Sequence, residues 1–168
     1  MTHAITRILV PVDFSANSEE AFEYAAMLAR RFGASLELLH VVEDPFVSGA
    51  WGSDGFDPYI PDLIDRQVAD ARRRLREMKE VRAADGDEVE PVVLMGTPAK
   101  TIADRAAAGT FDLIVMGTHG RKGLAHALMG SVAERVVRTA PCPVFTVRHP
   151  AASDRPAAIE TAARTLVI

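Results

Sequence analysis

The chain has only one cysteine and no excess of positive charge. The first fact excludes a protein held together by intrachain disulfides, and the second argues against a nucleic-acid-binding protein. Cys142 is the single cysteine among 168 residues, so an intrachain disulfide is impossible. Its setting in "APCPVF", just before an apolar run, favours a buried structural thiol over a reactive one. The formal net charge of -4 argues against a general nucleic-acid-binding protein, because a phosphate backbone requires a basic surface.

Long apolar runs are also missing. No stretch approaches the roughly 20 apolar residues that span a bilayer, and "MTHAITRILVPVD" lacks the apolar segment of a signal peptide. We therefore expect a cytoplasmic protein that contacts neither membrane nor nucleic acid. An anionic small molecule is still compatible with the negative charge, because backbone dipoles bind phosphate without any net positive charge.

Five apolar, β-branched runs alternate with helical patterns. The predicted strands cover residues 5–12, 35–42, 87–94, 112–117 and 143–147. The predicted helices cover about 17–32, about 59–83, a segment that begins at Thr97-Pro98, and about 127–140. This order predicts an α/β fold, a doubly wound five-stranded parallel sheet with helices on both faces.

The helical patterns carry boundary and core signals. Ser15 and Asn17 are candidate N-caps of the first helix, and Gly33 ends it. The residues expected in the core are Phe22, Ala25, Ala26, Ala29 and Phe32 on the first helix, Ile64, Val68, Ala71, Leu75 and Met78 on the second, and Leu128, Val132, Val136 and Val137 on the fourth. The charged run of the second helix is interpreted as a solvated face: Arg72, Arg73, Arg74, Arg76, Glu77 and Lys79.

Two segments do not fit the alternation. Residues 44–61 hold three glycines and three prolines, which is too many breakers for a helix or strand, and we interpret them as a lid or a partner contact. The tail after His149 is rich in alanine and proline at its start. A short helix, an added strand and a frayed end all remain open for this tail.

In a doubly wound sheet, ligands bind outside the carboxyl ends of the strands, where the winding reverses. The segments at such positions are "PVDFS" after the first strand, "HVVED" after the second and "MGTHG" after the fourth. Asp13 and Ser15 are interpreted either as ligand contacts or as caps of the first helix.

The segment "MGTHGRKGLAHALMGS", from Met116 to Ser131, places four glycines between a predicted strand and a helix. Glycine allows a ligand to approach the backbone closely, and successive N–H groups beside a helix N-terminus bind anions. We interpret the segment as a phosphate-binding loop, with a plain glycine turn as the alternative. It matches neither the Walker pattern nor G-x-G-x-x-G after the first strand.

The spacing Gly117-x2-Gly120-x9-Gly130-Ser131 resembles the signature of the universal stress protein family, in its ATP-binding branch. "ILVPVDFS", "LELLHVV" and "SVAERVVRTAPCPVFTVR" extend the resemblance over about residues 3–148. It implies a universal stress protein domain at 1–148, a C-terminal extension at 149–168, and a Rossmann-like sheet of order 3-2-1-4-5 similar to the adenine nucleotide alpha hydrolases.

The resemblance also implies a binding site for ATP with Mg²⁺. Pro11, Val12 and Asp13 match the end of the first strand, where the acid lies near the ribose or a phosphate-bound metal. Val41 matches the position whose backbone reads the adenine edge, with core packing as the alternative. A turn beside the ribose and phosphates is matched by Met116, Gly117, His119 and Gly120. For His119 the alternative is an exposed turn residue without ligand contact. The start of the phosphate-binding helix is matched by Gly130, Ser131 and Val132.

Three functions stay open. The first is a stress-response protein that binds ATP or another adenine nucleotide and signals to a protein partner. The second is a slow ATPase or autophosphorylating enzyme, which is disfavoured because the sequence fixes no second acid near the glycine loop. The third is a dimeric scaffold without nucleotide. In each case the last strand, 143–147, is expected at a sheet edge, and similar proteins form homodimers through it.

Overall fold

The computed structural model describes residues 4–43, 60–83, 86–118 and 129–148. In these ranges strands and helices alternate as predicted, with small shifts at their ends: β1 (Arg7–Pro11), α1 (Ala16–Phe32), β2 (Ser35–Glu43), α2 (Ile60–Ala83), β3 (Val89–Gly96), α3 (Pro98–Ala108), β4 (Leu113–Gly117), α4 (Ser131–Thr139) and β5 (Val144–Val147). Most of the predicted loop 44–61 and the whole tail 149–168 lie outside the described residues. None of the helices in these ranges is long and apolar enough to cross a membrane.

The strands form one parallel sheet with the order β3-β2-β1-β4-β5, which confirms the predicted topology. The chain first adds β2 and β3 on one side of β1. It then returns to place β4 and β5 on the other side of β1. The winding therefore reverses between β1 and β4, where a doubly wound sheet binds its ligands.

Each face of the sheet has its own apolar core. One core joins the sheet to α1 and α2 and includes Ile8, Val10, Phe22, Leu38 and Leu75. The other joins it to α3 and α4 and includes Leu9, Leu39, Ile102, Ile114 and Val136. Because successive strand residues point to opposite faces, covering both faces explains why β4, and β1 after Arg7, are apolar.

The ends of α1 follow from local sequence. The Ser18 amide donates to the Oγ of Ser15 at 3.3 Å, so Ser15 is the N-cap, whereas Asn17 lies inside the helix. At the other end Gly33 adopts the left-handed conformation (φ 69°, ψ 34°), and its N–H donates to the carbonyl of Ala29. Glycine adopts this conformation without steric cost, which is why the helix ends there.

Two predictions for the first two helices are wrong. Phe32, expected in the core, is 50% exposed because it belongs to the last turn of α1, beyond the buried stripe that ends at Ala29. Arg74, expected on the solvated face of α2, is half-buried, and its guanidinium lies 3.9 Å from the ring centroid of Phe14. The long arginine side chain covers an aromatic ring that would otherwise face water.

The start of α4 also differs from the prediction. The helix begins at Ser131 rather than near residue 127, because Gly130 has an extended backbone (φ -72°, ψ 153°) and acts as the N-cap. This shorter helix buries Ala133 and Val136. Val132 is half-buried and Val137 is 47% exposed, so Val137 does not join the core as predicted. Leu128 lies outside the described residues.

Cys142 packs at the margin of the core formed with α3 and α4, and it is half-buried. Burial raises the pKa of its thiol, so at neutral pH a smaller fraction of it is thiolate than in an exposed cysteine. This agrees with the interpretation of a structural thiol.

Candidate functional site

The pairing between β1 and β4 ends before the carboxyl end of either strand. The pairing of these strands extends only over Ile8 with Leu113 and Leu9 with Ile114. Both strands continue past these pairs, to Pro11 on β1 and Gly117 on β4. We call the space beyond the last pair the switch crevice, because the winding of the sheet reverses there.

Val41 directs backbone groups toward this crevice. The carbonyl of Leu39 accepts from the Val12 amide at 2.9 Å, and β1 has no residue paired beyond Leu39. Residues two apart on a strand present their N–H and C=O groups to the same neighbour. The backbone N–H and C=O of Val41 therefore point toward the side on which β1 lies. Val41 is two residues past the last paired residue of β2, so no β1 residue lies opposite it. Its side chain packs against the core formed with α3 and α4, so both predicted roles are compatible.

A hydrogen-bonded turn at the end of β1 carries Asp13. Its Oδ1 accepts from the Ser15 amide at 3.1 Å and from the Ser15 hydroxyl at 2.6 Å. The Oγ of Ser18 accepts from the Ser15 amide at 3.1 Å and donates to the Ser15 carbonyl at 2.9 Å. Ser15 thus has the capping role, while Asp13 holds Ser15 in place from outside the helix.

The apolar residues of the predicted site have buried side chains. Pro11 is buried at the end of β1, Val12 is 4% exposed and Met116 is 5% exposed. Val12 packs in the core formed with α1 and α2, and Met116 in the core formed with α3 and α4. A ligand in the switch crevice can reach only the main chain of these residues.

Gly117 makes room for α1. A Cβ built on it would lie 2.9 Å from the carbonyl carbon, the oxygen and the Cβ of Asn17. The φ of Gly117 is not positive, so the backbone conformation does not require glycine at this position. The residue is glycine because the first turn of α1 packs directly against the end of β4. This packing role differs from the ligand contact that the signature implies.

The N-terminus of α4 faces the end of β4. The Gly130 amide donates to the carbonyl of Thr118 at 2.7 Å, which ties the two ends of the glycine loop together. Among the described residues no side chain caps the helix, and the Glu134 amide is the first to bond back, to the Gly130 carbonyl at 2.9 Å. The amides of Ser131, Val132 and Ala133 therefore form the positive end of the helix dipole, which attracts anions.

The rest of the glycine loop lies outside the described residues. This part, 119–128, includes His119 and Gly120. Their predicted contacts with ribose and phosphate therefore depend on the resemblance alone. The residues that flank this part, Thr118 and Gly130, are joined by the backbone hydrogen bond described above.

Sequence reasoning missed three buried polar residues at this end of the sheet. Ser18, His40 and Thr118 are 4%, 8% and 8% exposed. Ser18 holds the turn before α1, His40 bonds to the carbonyl of Val12, and Thr118 bonds through its backbone to β5 and Gly130. The available signal was a polar side chain within an apolar run, as in "LELLHVV" for His40.

A cavity of about 420 Å³ lies at the opposite, amino-terminal edge of the sheet, beside Arg7 and Glu37. The buried Glu37 carboxylate accepts from Arg105 at 2.7 Å (Nε) and 2.5 Å (Nη2). Arg7 approaches the same carboxylate at 3.8 Å. This ion pair neutralises a buried charge between β2 and α3, and we interpret it as structural.

The described part of the chain contains no cluster of three or more His, Cys, Asp or Glu residues suited to a metal ion. Asp13 is the carboxylate of the turn that follows β1, at the end of the sheet where the winding reverses. A single carboxylate together with phosphate oxygens is a common way for proteins to hold Mg²⁺. The residues present therefore fit a magnesium ion that arrives with a nucleotide.

Comparisons with known proteins identify the family. The model of the universal stress protein family matches residues 4–148, which include every described strand and helix. The universal stress protein MJ0531 of Methanocaldococcus jannaschii is 36% identical over 149 residues, which cover 86% of this chain and 82% of that protein.

Solved structures agree in fold and sequence. UspA from Lactobacillus plantarum superposes with a TM-score of 0.78 at 33% identity, over 88% of this chain and all of that one. The universal stress protein from Archaeoglobus fulgidus in complex with dAMP superposes with a TM-score of 0.58 at 25% identity, over 86% of this chain and 98% of that one. These similarities confirm the Rossmann-like fold.

Proposed function

Because this chain belongs to the universal stress protein family, we propose that its switch crevice binds an adenine nucleotide and that the bound state regulates a protein partner. The observation that carries this proposal is the convergence of two sets of backbone groups on one crevice. The Val41 backbone faces the side of β1 beyond its last paired residue, and the first amides of α4 lie beside the end of β4, where Gly130 bonds to Thr118. The related protein from Archaeoglobus fulgidus supports the class of ligand, since its structure holds dAMP.

The two sets of backbone groups suit the two ends of a nucleotide. The N–H and C=O of one strand residue, Val41, match the donor and acceptor on the edge of an adenine base. The positive end of α4 suits a phosphate, because amides at a helix start donate to anions without added charge. Asp13 lies between them at the end of β1, in reach of the ribose or of a phosphate-bound Mg²⁺.

We infer that ATP is the preferred nucleotide. The signature from Gly117 to Ser131 resembles that of the ATP-binding branch of the family. Binding rather than turnover is the proposed activity. Asp13, the carboxylate of the turn after β1, has its Oδ1 engaged by Ser15, so it is not free to activate a water molecule through that oxygen.

The first experiment identifies the ligand. Protein purified without added nucleotide is treated with acid, and released molecules are separated by chromatography. We expect adenine nucleotide, and we expect ATP to raise the melting temperature of the emptied protein, because a ligand bound only to the folded state stabilises it. If the protein carries no nucleotide and shows no thermal shift with ATP, with or without Mg²⁺, the proposed nucleotide binding is wrong. The dimeric scaffold is then the function that remains.

The second experiment tests the phosphate end. The backbone of Gly130 (φ -72°, ψ 153°) is open to any residue, so Gly130→Val is expected to fold normally. Its branched side chain would occupy space beside the α4 amides, and we expect at least tenfold weaker ATP binding in calorimetry. Gly130→Ala, with one added carbon, should show a smaller loss. Equal affinity for all three proteins would contradict the proposed phosphate position.

We also propose that two copies pair through β5. This strand is an edge of the sheet, and the exposed ring of Phe145 contacts Tyr24 on α1, at 6.1 Å between ring centroids. An edge strand presents unpaired N–H and C=O groups that a second strand can satisfy. The adjacent aromatic pair would add apolar contact area to such a homodimer.

A further inference from the structure

The turn that carries Asp13 is held in an unusual backbone conformation. Phe14, the residue after Asp13, has a φ of 63°, in the left-handed region that non-glycine residues rarely occupy. Such a conformation is unfavourable for a residue with a Cβ and persists only where surrounding contacts enforce it. The contacts made by Phe14 and its neighbours therefore determine where the Asp13 carboxylate lies.

His40 supplies two of these contacts from the adjacent strand. Its Nδ1 lies 2.8 Å from the carbonyl oxygen of Val12 and must donate, because a carbonyl only accepts. Its ring also packs on the ring of Phe14, with centroids 4.5 Å apart. His40 is 8% exposed, so this hydrogen bond is shielded from water.

Arg74 completes the arrangement from α2. Its guanidinium lies 3.9 Å from the Phe14 ring centroid, so Phe14 contacts both His40 and Arg74. The residues on each side of Asp13 are thus fixed through side chains of two other elements. The carbonyl of Val12 is bound by β2, and the ring of Phe14 is packed by β2 and α2.

We propose that His40 is a positioning residue for the nucleotide, acting through the Val12 carbonyl and the Phe14 ring to hold Asp13 toward the switch crevice. This inference rests on the proposed function, since it assigns a determinant of affinity to the same site. His40 itself packs beneath the turn and acts on the ligand only through Asp13. The prediction that follows is a coupling between His40 and Asp13 in nucleotide binding.

The test is a double-mutant cycle in calorimetry with ATP. His40→Asn keeps a donor at the place of Nδ1, whereas His40→Phe keeps an aromatic ring and loses the donor. We expect about tenfold weaker binding for His40→Phe and at most a threefold loss for His40→Asn. In an Asp13→Asn background the same His40→Phe change should alter affinity less than twofold, because the carboxylate it positions is gone.

A control separates positioning from general stability. Val89→Ala trims a buried side chain at the amino-terminal end of β3, away from the switch crevice, and should lower stability without changing ATP affinity. Phe14→Gly gives a second variant should His40→Phe not fold. Glycine adopts a φ of 63° without strain, so this variant should fold and still bind ATP several-fold more weakly.

The outcomes distinguish the two proposals. Wild-type protein that binds no ATP overturns both the proposed function and the role of His40. Wild-type protein that binds ATP, with equal losses from His40→Phe in both backgrounds, overturns the positioning role alone. Affinity unchanged in both His40→Phe and Phe14→Gly does the same.

Discussion

Gly117 offers the sharpest test of how the sheet and α1 fit together. An alanine Cβ at this position would lie 2.9 Å from the carbonyl carbon and oxygen of Asn17, closer than real Cβ contacts allow. Asn17 lies in the first turn of α1, so its backbone can move only with the helix. Overpacking of this kind costs about 1–3 kcal/mol. Alanine also lowers the conformational entropy of the unfolded chain relative to glycine, which stabilises the folded state by about 0.4–1 kcal/mol.

We therefore expect Gly117→Ala to lower the free energy of unfolding by about 1–2 kcal/mol. In a domain of this size that corresponds to a melting temperature lower by about 2–8 °C. Urea denaturation and calorimetry of the ligand-free protein measure both quantities. Gly33→Asn is the control, because no atom lies within 4 Å of a Cβ at Gly33 and asparagine tolerates the left-handed conformation. Wild-type stability in Gly117→Ala would refute the packing argument.

Two further predictions concern the ends of the strands. The Asp112 carboxylate accepts from the Thr6 amide and hydroxyl, both at 2.8 Å, and from the Arg7 amide at 3.0 Å, and these hydrogen bonds lower its pKa. A lowered pKa in the folded state stabilises the protein above the ordinary carboxyl pKa of about 4, and this contribution is lost as pH falls through the folded value. Asp112→Asn should therefore lower the free energy of unfolding by about 1 kcal/mol near pH 7 and by less below pH ~4. Urea denaturation at several pH values measures this difference. A difference that does not change with pH would show that the charge of Asp112 does not contribute. On β5, Ile114 N–H donates to the Pro143 carbonyl, and alternation directs the amide of Thr146 away from β4. Thr146→Pro should thus weaken the proposed dimer in sedimentation without breaking the β4–β5 pairing, whereas an unchanged dimer would point to another interface.

The fold was predictable because its signals are local. Continuous apolar runs identified the strands that are covered on both faces, and Ser15 and Gly33 marked the ends of α1. The alternation of strands and helices predicted a doubly wound parallel sheet. The strand order itself was implied by the resemblance, and the structure confirms it.

Parts of the candidate site could not be predicted because they depend on contacts between distant segments. Gly117 approaches Asn17, a residue far away in the sequence, and the sequence alone does not show this contact. The glycine signature therefore indicates only a ligand contact for Gly117, and not its packing against α1. The proposed role of His40 depends on its contact with Phe14, which lies in the turn after the neighbouring strand β1. The start of α4 was placed too early, because the bond from Gly130 to Thr118 fixes where that helix begins.

The most direct test of the account is the response of backbone amide chemical shifts to ATP in an isotope-labelled sample. We predict saturable shifts that are largest at Val41 and at the first α4 amides, from Ser131 to Ala133. Shifts centred instead on the cavity beside Arg7 and Glu37, or no saturable shift at either end of the sheet, would contradict the proposed nucleotide site.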